Sequence, residues 1–182
     1  MPDGGAVTRF LGIDPGSRVT GIGIVEAAGG RLRPLFYTAL RLGDGPFPDR
    51  LGHLFREVRA TARDYSVETA AVETVYVKNN ASSALKLGQA RGAAIAALVE
   101  AGLPVEEYTP ARIKDAVVGR GGASKDQVGF MIQHLLGLPE AAAEDAADAL
   151  AVAVCHVHHQ QSGARLAAAG GAAGKARRGR RR

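Results

Sequence analysis

Residues 10–25, FLGIDPGSRVTGIGIV, place two apolar runs around a turn containing Gly and Pro. Ile- and Val-rich runs flanking such a turn read as a β-hairpin. The first strand nevertheless finishes on a carboxylate, Asp14, at a point where the chain is still reading as core. A charge at that position needs either a turn to sit in or a chemical task.

Three strands are predicted at the start of the chain, over about 8–13, 21–27 and 31–42. They are close enough in sequence to form an antiparallel meander. A helix opening at Pro48 follows, with Leu51, Leu54, Phe55, Val58 and Ala62 recurring at spacings of three and four. The short β-branched run 69–75 holds a second acid near its end, Glu73. An Ala-rich helix then spans 81–101. Ala81, Ala84, Gly88, Gly92, Ile95 and Val99 share one stripe of it, and Leu87, Ala94 and Leu98 another. Such a helix needs two packing partners. One stripe meets the sheet; the Gly88 and Gly92 stripe meets either a second subunit or another helix of the same chain. A strand over 104–108, a helix starting at Thr109-Pro110, a break at 119–122 and helices over 124–136 and 140–160 complete the body. This order predicts an α/β fold, a mixed sheet of about five strands flanked by helices.

With 182 residues and 46% apolar content, the chain has enough material for one domain with a real core. Its formal charge of +5 is unevenly placed. Arg165, Lys175, Arg177, Arg178, Arg180, Arg181 and Arg182 lie in 162–182 with no acid among them, and the rest carries 16 basic against 18 acidic residues. The expected organisation is a loose leader over 1–7, a folded domain over 8–161, and a flexible basic tail over 162–182 suited to polyanions. A single cysteine, Cys155, excludes an intramolecular disulfide framework and suits a reducing cytoplasm. No signal peptide and no apolar run of membrane-spanning length is evident.

Four carboxylates stand out by position: Asp14, Glu73, Asp145 and Asp148. The first two end or nearly end buried-type strands, and strand ends are where sites collect in such sheets. Asp145 and Asp148, in EDAADALAVAVC, fall three apart on one face of a helix start. Alone, they could simply complement the positive end of the helix dipole. If all four converge, their repulsion requires cations. Oxygen donors select hard divalent ions, and a pair of these serves phosphodiester hydrolysis. His156, His158 and His159 read as a cluster at a helix end, where imidazoles suit the last carbonyls. Cys155 reads as a small core residue.

Three stretches, LGIDPGSRVTGIGIV, AAVETVYVKNNASSALKLGQARGAAI and DAADALAVA, occur in an order that resembles the RuvC Holliday junction resolvases over about residues 8–160. The resemblance implies a ribonuclease H-like fold. It also implies a structure-specific endonuclease that resolves junctions by paired symmetric nicks in DNA recombination and repair. GIDPGS also begins phosphate loops of actin-like ATPases and sugar kinases, but those need two such domains and a second Asp-Gly-rich loop. Carried over by position, Asp14, Glu73, Asp145 and Asp148 match the family's acidic metal-binding positions for two Mg²⁺ or Mn²⁺ ions. The third varies between Asp and His among relatives. Tyr76 stands where the family usually has a Phe that stacks on a base, and Lys114 and Lys125 match basic positions near the active site. The partners implied are four-way junction DNA, a second copy in a two-fold homodimer, and the RuvA and RuvB proteins. Two other readings are a relative that processes RNA and a junction-binding protein without catalysis.

Overall fold

The computed structural model describes residues 6–74 and 81–178, with side chains as far as residue 163. Five strands, β1 (Thr8–Asp14), β2 (Val19–Ala28), β3 (Arg31–Arg41), β4 (Thr69–Glu73) and β5 (Val105–Tyr108), form one sheet in the order β3-β2-β1-β4-β5. The first three make the expected antiparallel meander. β4 and β5 add in parallel on the other side of β1. Parallel neighbours need a crossover, and α1 (Phe47–Asp64) and α2 (Ala81–Glu100) supply it. Pro34 is accommodated in β3 because that strand is an edge, next to a register shift at Ile24/Val25.

The two-residue period of the strands sorts side chains between two cores. Leu11, Ile13, Ile22, Ile24, Ala70 and Val72 pack with Leu54 and Val58 of α1 and Ala90, Ala94 and Leu98 of α2. Phe10, Val25 and Ala71 face the other way. They pack with α3 (Pro110–Val118), α4 (Lys125–Leu136) and α5 (Glu144–Arg178). Thr109 caps α3 by accepting from the Arg112 N–H, and Ser124 and Gln127 form a reciprocal cap on α4.

α5 is the central helix. Residues 149–157 are buried on every side, which is the signature of an interior helix. It lies directly on the sheet because β1 and β2 present glycines to it. A Cβ on Gly12 would stand 2.2 Å from the Ala149 carbonyl oxygen, one on Gly21 would stand 1.9 Å from that of Asp145, and one on Gly23 would stand 2.7 Å from the Leu150 nitrogen. α5 differs from expectation at both ends. It begins at Glu144 rather than 140, and its backbone stays helical to Arg178, past the predicted end at 160 and through most of the segment read as a flexible tail. The Ala-rich composition there favours helix even without a core to bury against.

Candidate active site

The parallel register pairs Ile13 with Val72, so the next residues, Asp14 and Glu73, end their strands side by side. By strand alternation both point to the face that α5 covers. The first turns of α5 bring Asp145 and Asp148 over the same ends, with the Asp145 carbonyl lying on Gly21. A pocket of about 290 Å³ is lined by Asp14, Glu73, Asp148, Lys114, Lys125, Pro110 and Val128. Five of the seven residues singled out from sequence therefore meet in one cavity. Asp145 does not line it, although its charge reaches Asp14. Tyr76 lies outside the described residues.

The electrostatics of the cluster follow from crowding. Burial, then the charges of Glu73, Asp148 and Asp145, push the Asp14 carboxyl from 3.8 up to about 8, with Lys125 opposing. Glu73 is also raised, first by burial and then by Asp148. A hydrogen bond from Asp14 and the charges of Lys125 and Lys114 work the other way. Lys125 Nζ donates to Asp148 Oδ2 at 2.9 Å and to Glu144 Oε1 at 2.6 Å. Those bonds, to Glu144 first and then Asp148, push the ammonium above its usual range and hold it as a cation.

Among the described residues, no three Asp, Glu, His or Cys side chains are grouped to hold one ion. Asp148 is instead engaged by Lys125. The donor chemistry still fits hard cations: the oxygen donors lining the pocket are the carboxylates of Asp14, Glu73 and Asp148, and burial together with the neighbouring acids raises the Asp14 carboxyl well above its usual range. A divalent ion would supply positive charge and restore the carboxylate as a ligand.

Two features of the site were not read from the sequence. The turn that follows Asp14 is closed by Thr20, whose Oγ1 accepts from the Gly16 N–H and donates to the Gly16 carbonyl. A Cβ at Gly16 would strike the Val19 carbonyl, so the tight turn requires glycine there. Arg50 of α1 reaches across 33 residues to donate from Nη2 to the Ser17 carbonyl. No local pattern announces a contact at that separation. The histidine cluster also differs from expectation, because α5 does not end there. His156 is fully buried, with Nε2 at 2.7 Å from Thr69 Oγ1 and Nδ1 at 2.9 Å from the Tyr108 hydroxyl. It ties α5 to β4 and β5, and burial lowers it to about 4. His158 Nδ1 lies 3.0 Å from the Ala116 carbonyl, and His159 stacks on Tyr108.

A mixed five-stranded sheet with carboxylates on adjacent strand ends, facing the start of a covering helix, defines a nuclease of the ribonuclease H-like class. Comparison with known proteins narrows that class. The family profile described as "Crossover junction endodeoxyribonuclease RuvC" matches residues 10–156. The chain is similar to the protein of that name from Alkalilimnicola ehrlichii, at 56% identity over 162 residues, 89% of this chain and 98% of that one. It is similar to the Pelobacter propionicus protein at 57% identity, over 82% of this chain and 86% of the other. Thermus thermophilus RuvC in complex with a Holliday junction substrate superposes with a TM-score of 0.81 at 34% identity, over 86% and 96% of the two chains. The yeast mitochondrial Holliday junction resolvase, with a TM-score of 0.64 and 13% identity over 85% of this chain and 79% of that one, shares the fold. The chain belongs to the RuvC family of crossover junction endodeoxyribonucleases.

Proposed function

We infer that this chain is a structure-specific endonuclease that resolves Holliday junctions, hydrolysing phosphodiesters with Asp14, Glu73, Asp145 and Asp148. The observation that carries this reading is the pocket in which Asp14, Glu73 and Asp148 meet Lys114 and Lys125. Asp14, Glu73 and Asp148 would hold two Mg²⁺ or Mn²⁺ ions, with Asp145 completing the set. Bound metal activates water and stabilises charge on the attacking and leaving oxygens. Assembling that set requires Asp148 to exchange the ammonium of Lys125 for the ion. Lys125 and Lys114 then stand at the mouth as point charges for the phosphates flanking the cut. The tight turn at Gly16 keeps side chains away from the approaching backbone, and Tyr76 offers a ring to an unstacked base.

A Holliday junction has approximate two-fold symmetry, so paired nicks call for a two-fold dimer. The exposed stripe of Leu85, Gly88, Gly92 and Val99 on α2 supports one, since a Cβ at either glycine would meet nothing within 4 Å. The folded domain is taken as 8–161, with the basic residues after 162 adding non-specific attraction to DNA. RuvA and RuvB are the proposed protein partners. A buried lone cysteine suits the cytoplasm, and no described helix is long and apolar enough to cross a membrane.

The test offers the purified chain a four-way DNA junction, a linear duplex and structured RNA, with Mg²⁺ or Mn²⁺. Symmetric nicks confined to the junction support the assignment. Preferential RNA cleavage would falsify it, and junction binding without cutting would favour a non-catalytic role.

A further inference from the structure

Outside the carboxylate pocket, two cations from different helices share one aromatic ring. The Arg50 guanidinium of α1 lies 5.3 Å from the centroid of Phe47, and Lys86 Nζ of α2 lies 6.0 Å from it. Arg9, Arg33, Arg59, Arg63, Arg91 and Lys125 each pair with a carboxylate. Arg50 and Lys86 have no acidic partner among the described residues. Like charges gathered without a counter-charge repel, and an anion relieves that repulsion. The ring orients both groups through its negative face; the Lys86 ammonium keeps its N–H donors for a ligand, while one Arg50 amino group is already given to the Ser17 carbonyl.

The position of this pair identifies the anion. Arg50 donates to the carbonyl of Ser17, three residues beyond Asp14, and three residues span at most about 10 Å. The pair therefore flanks the carboxylate end of β1. α1 and α2 cover one face of the sheet, whereas Lys114 and Lys125 approach from α3 and α4 on the other. A nucleic-acid backbone that crosses the strand ends with one phosphate at the carboxylates brings further phosphates past Phe47. A guanidinium and an ammonium offer donors only, which suits phosphate oxygens and carries no base readout.

We propose that Arg50 and Lys86, held on the ring of Phe47, form a second subsite for the DNA backbone, on the opposite side of the carboxylate cluster from Lys114 and Lys125. The subsite rests on the reading of the chain as a junction nuclease. It adds affinity that is independent of sequence, and it sets the path of the strand across the sheet end.

The experiment measures junction binding by the full-length Asp14→Asn chain across about 50 to 200 mM salt, with and without a second substitution. Lys86 is exposed and makes no hydrogen bond among the described residues, so Lys86→Gln tests the charge without disturbing the turn. Loss of one phosphate contact reduces the slope of log K against log salt by about 0.9, so affinity falls roughly 3.5-fold less over that range. Lys86→Arg keeps the slope, and junctions of different sequence respond alike. An unchanged slope in Lys86→Gln overturns the subsite. So does equal loss in Lys86→Arg, or a slope change that accompanies dissociation of the protein seen by light scattering. If the Asp14→Asn parent shows no preference for a junction over a duplex, the reading as a junction protein fails instead. The Lys86 result then has no bearing on that failure.

Discussion

Replacing Gly21 by Ala inserts one methyl between the sheet and the start of α5. That Cβ would stand 1.9 Å from the carbonyl oxygen of Asp145, and real Cβ contacts essentially never fall below 3.0 Å. β2 and α5 must therefore separate by about 1 Å at this point. The obstacle is backbone, which no rotamer change relieves. Overpacking of this kind costs about 1–3 kcal/mol, or roughly 2–12 °C in Tm for a chain of this size. The displaced segment carries Asp145 and Asp148, and a shift of about 1 Å at reacting groups can cost 10²-fold in rate. Circular dichroism melts and single-turnover cleavage of a four-way junction read the two effects. Gly129→Ala on α4 is the control. Its Cβ meets nothing within 4 Å, so the helix should gain about 0.5–1 kcal/mol. A Gly21→Ala protein with the melting temperature and cleavage rate of the wild type would refute the close seating of α5 on β2.

Asp14→Asn should raise the stability of the metal-free protein by at least about 1 kcal/mol at pH 8.5, or roughly 2–4 °C. With its carboxyl raised from 3.8 to about 8, Asp14 contributes stability that is present below 3.8 and is lost as pH rises through 8. Mg²⁺ or Mn²⁺ should reverse the order by stabilising the wild type alone; equal melting curves without metal would contradict the crowding of the carboxylates. His156 is lowered from 6.5 to about 4, so its neutral form supports stability above 6.5 and that support is lost as pH falls toward 4. His156→Gln should cost about 1–3 kcal/mol at pH 7 and show a shallower decline over that interval, followed by thermal melts; a decline as steep as the wild type's would exclude His156 as its source. Gly92→Leu on the open stripe of α2 should yield a monomer by light scattering with loss of paired cutting. An active dimer would move the interface elsewhere.

The carboxylate site was legible in the sequence because strand alternation and helical spacing are local rules. Asp14 and Glu73 close apolar strands that the sheet sets side by side, and Asp148 stands near the start of the helix laid over them; Asp145, three residues earlier on the same helix, does not line the pocket. The ring of contacts around the site was less legible because it depends on pairings distant in sequence. Nothing in GIDPGSRVTGIG says that Gly12, Gly21 and Gly23 all face one helix until β1 and β2 are in register and α5 is laid across them. The alternating glycines opposite an Ala-rich helix were the signal that could have predicted it. The role of His156 is structural, as its place among apolar neighbours suggests, but its partners were hidden for a related reason. Taking the helix to end near 160 made a trio of histidines look like a solvated terminus, whereas the helix continues and the inward member bonds Thr69 and Tyr108. Arg50 gave no signal at all, since its partner is a backbone carbonyl on another element.

Cleavage is proposed to depend on the carboxylates at the strand ends and not on the basic surface around them. The most direct measurement is cutting of a four-way junction by Asp14→Asn alongside its binding of the same junction in a mobility-shift titration. Cutting should fall by at least about 100-fold while binding stays near that of the wild type. Cutting that persists with intact binding would contradict that dependence, because Asp14 would then hold no part of the reacting centre.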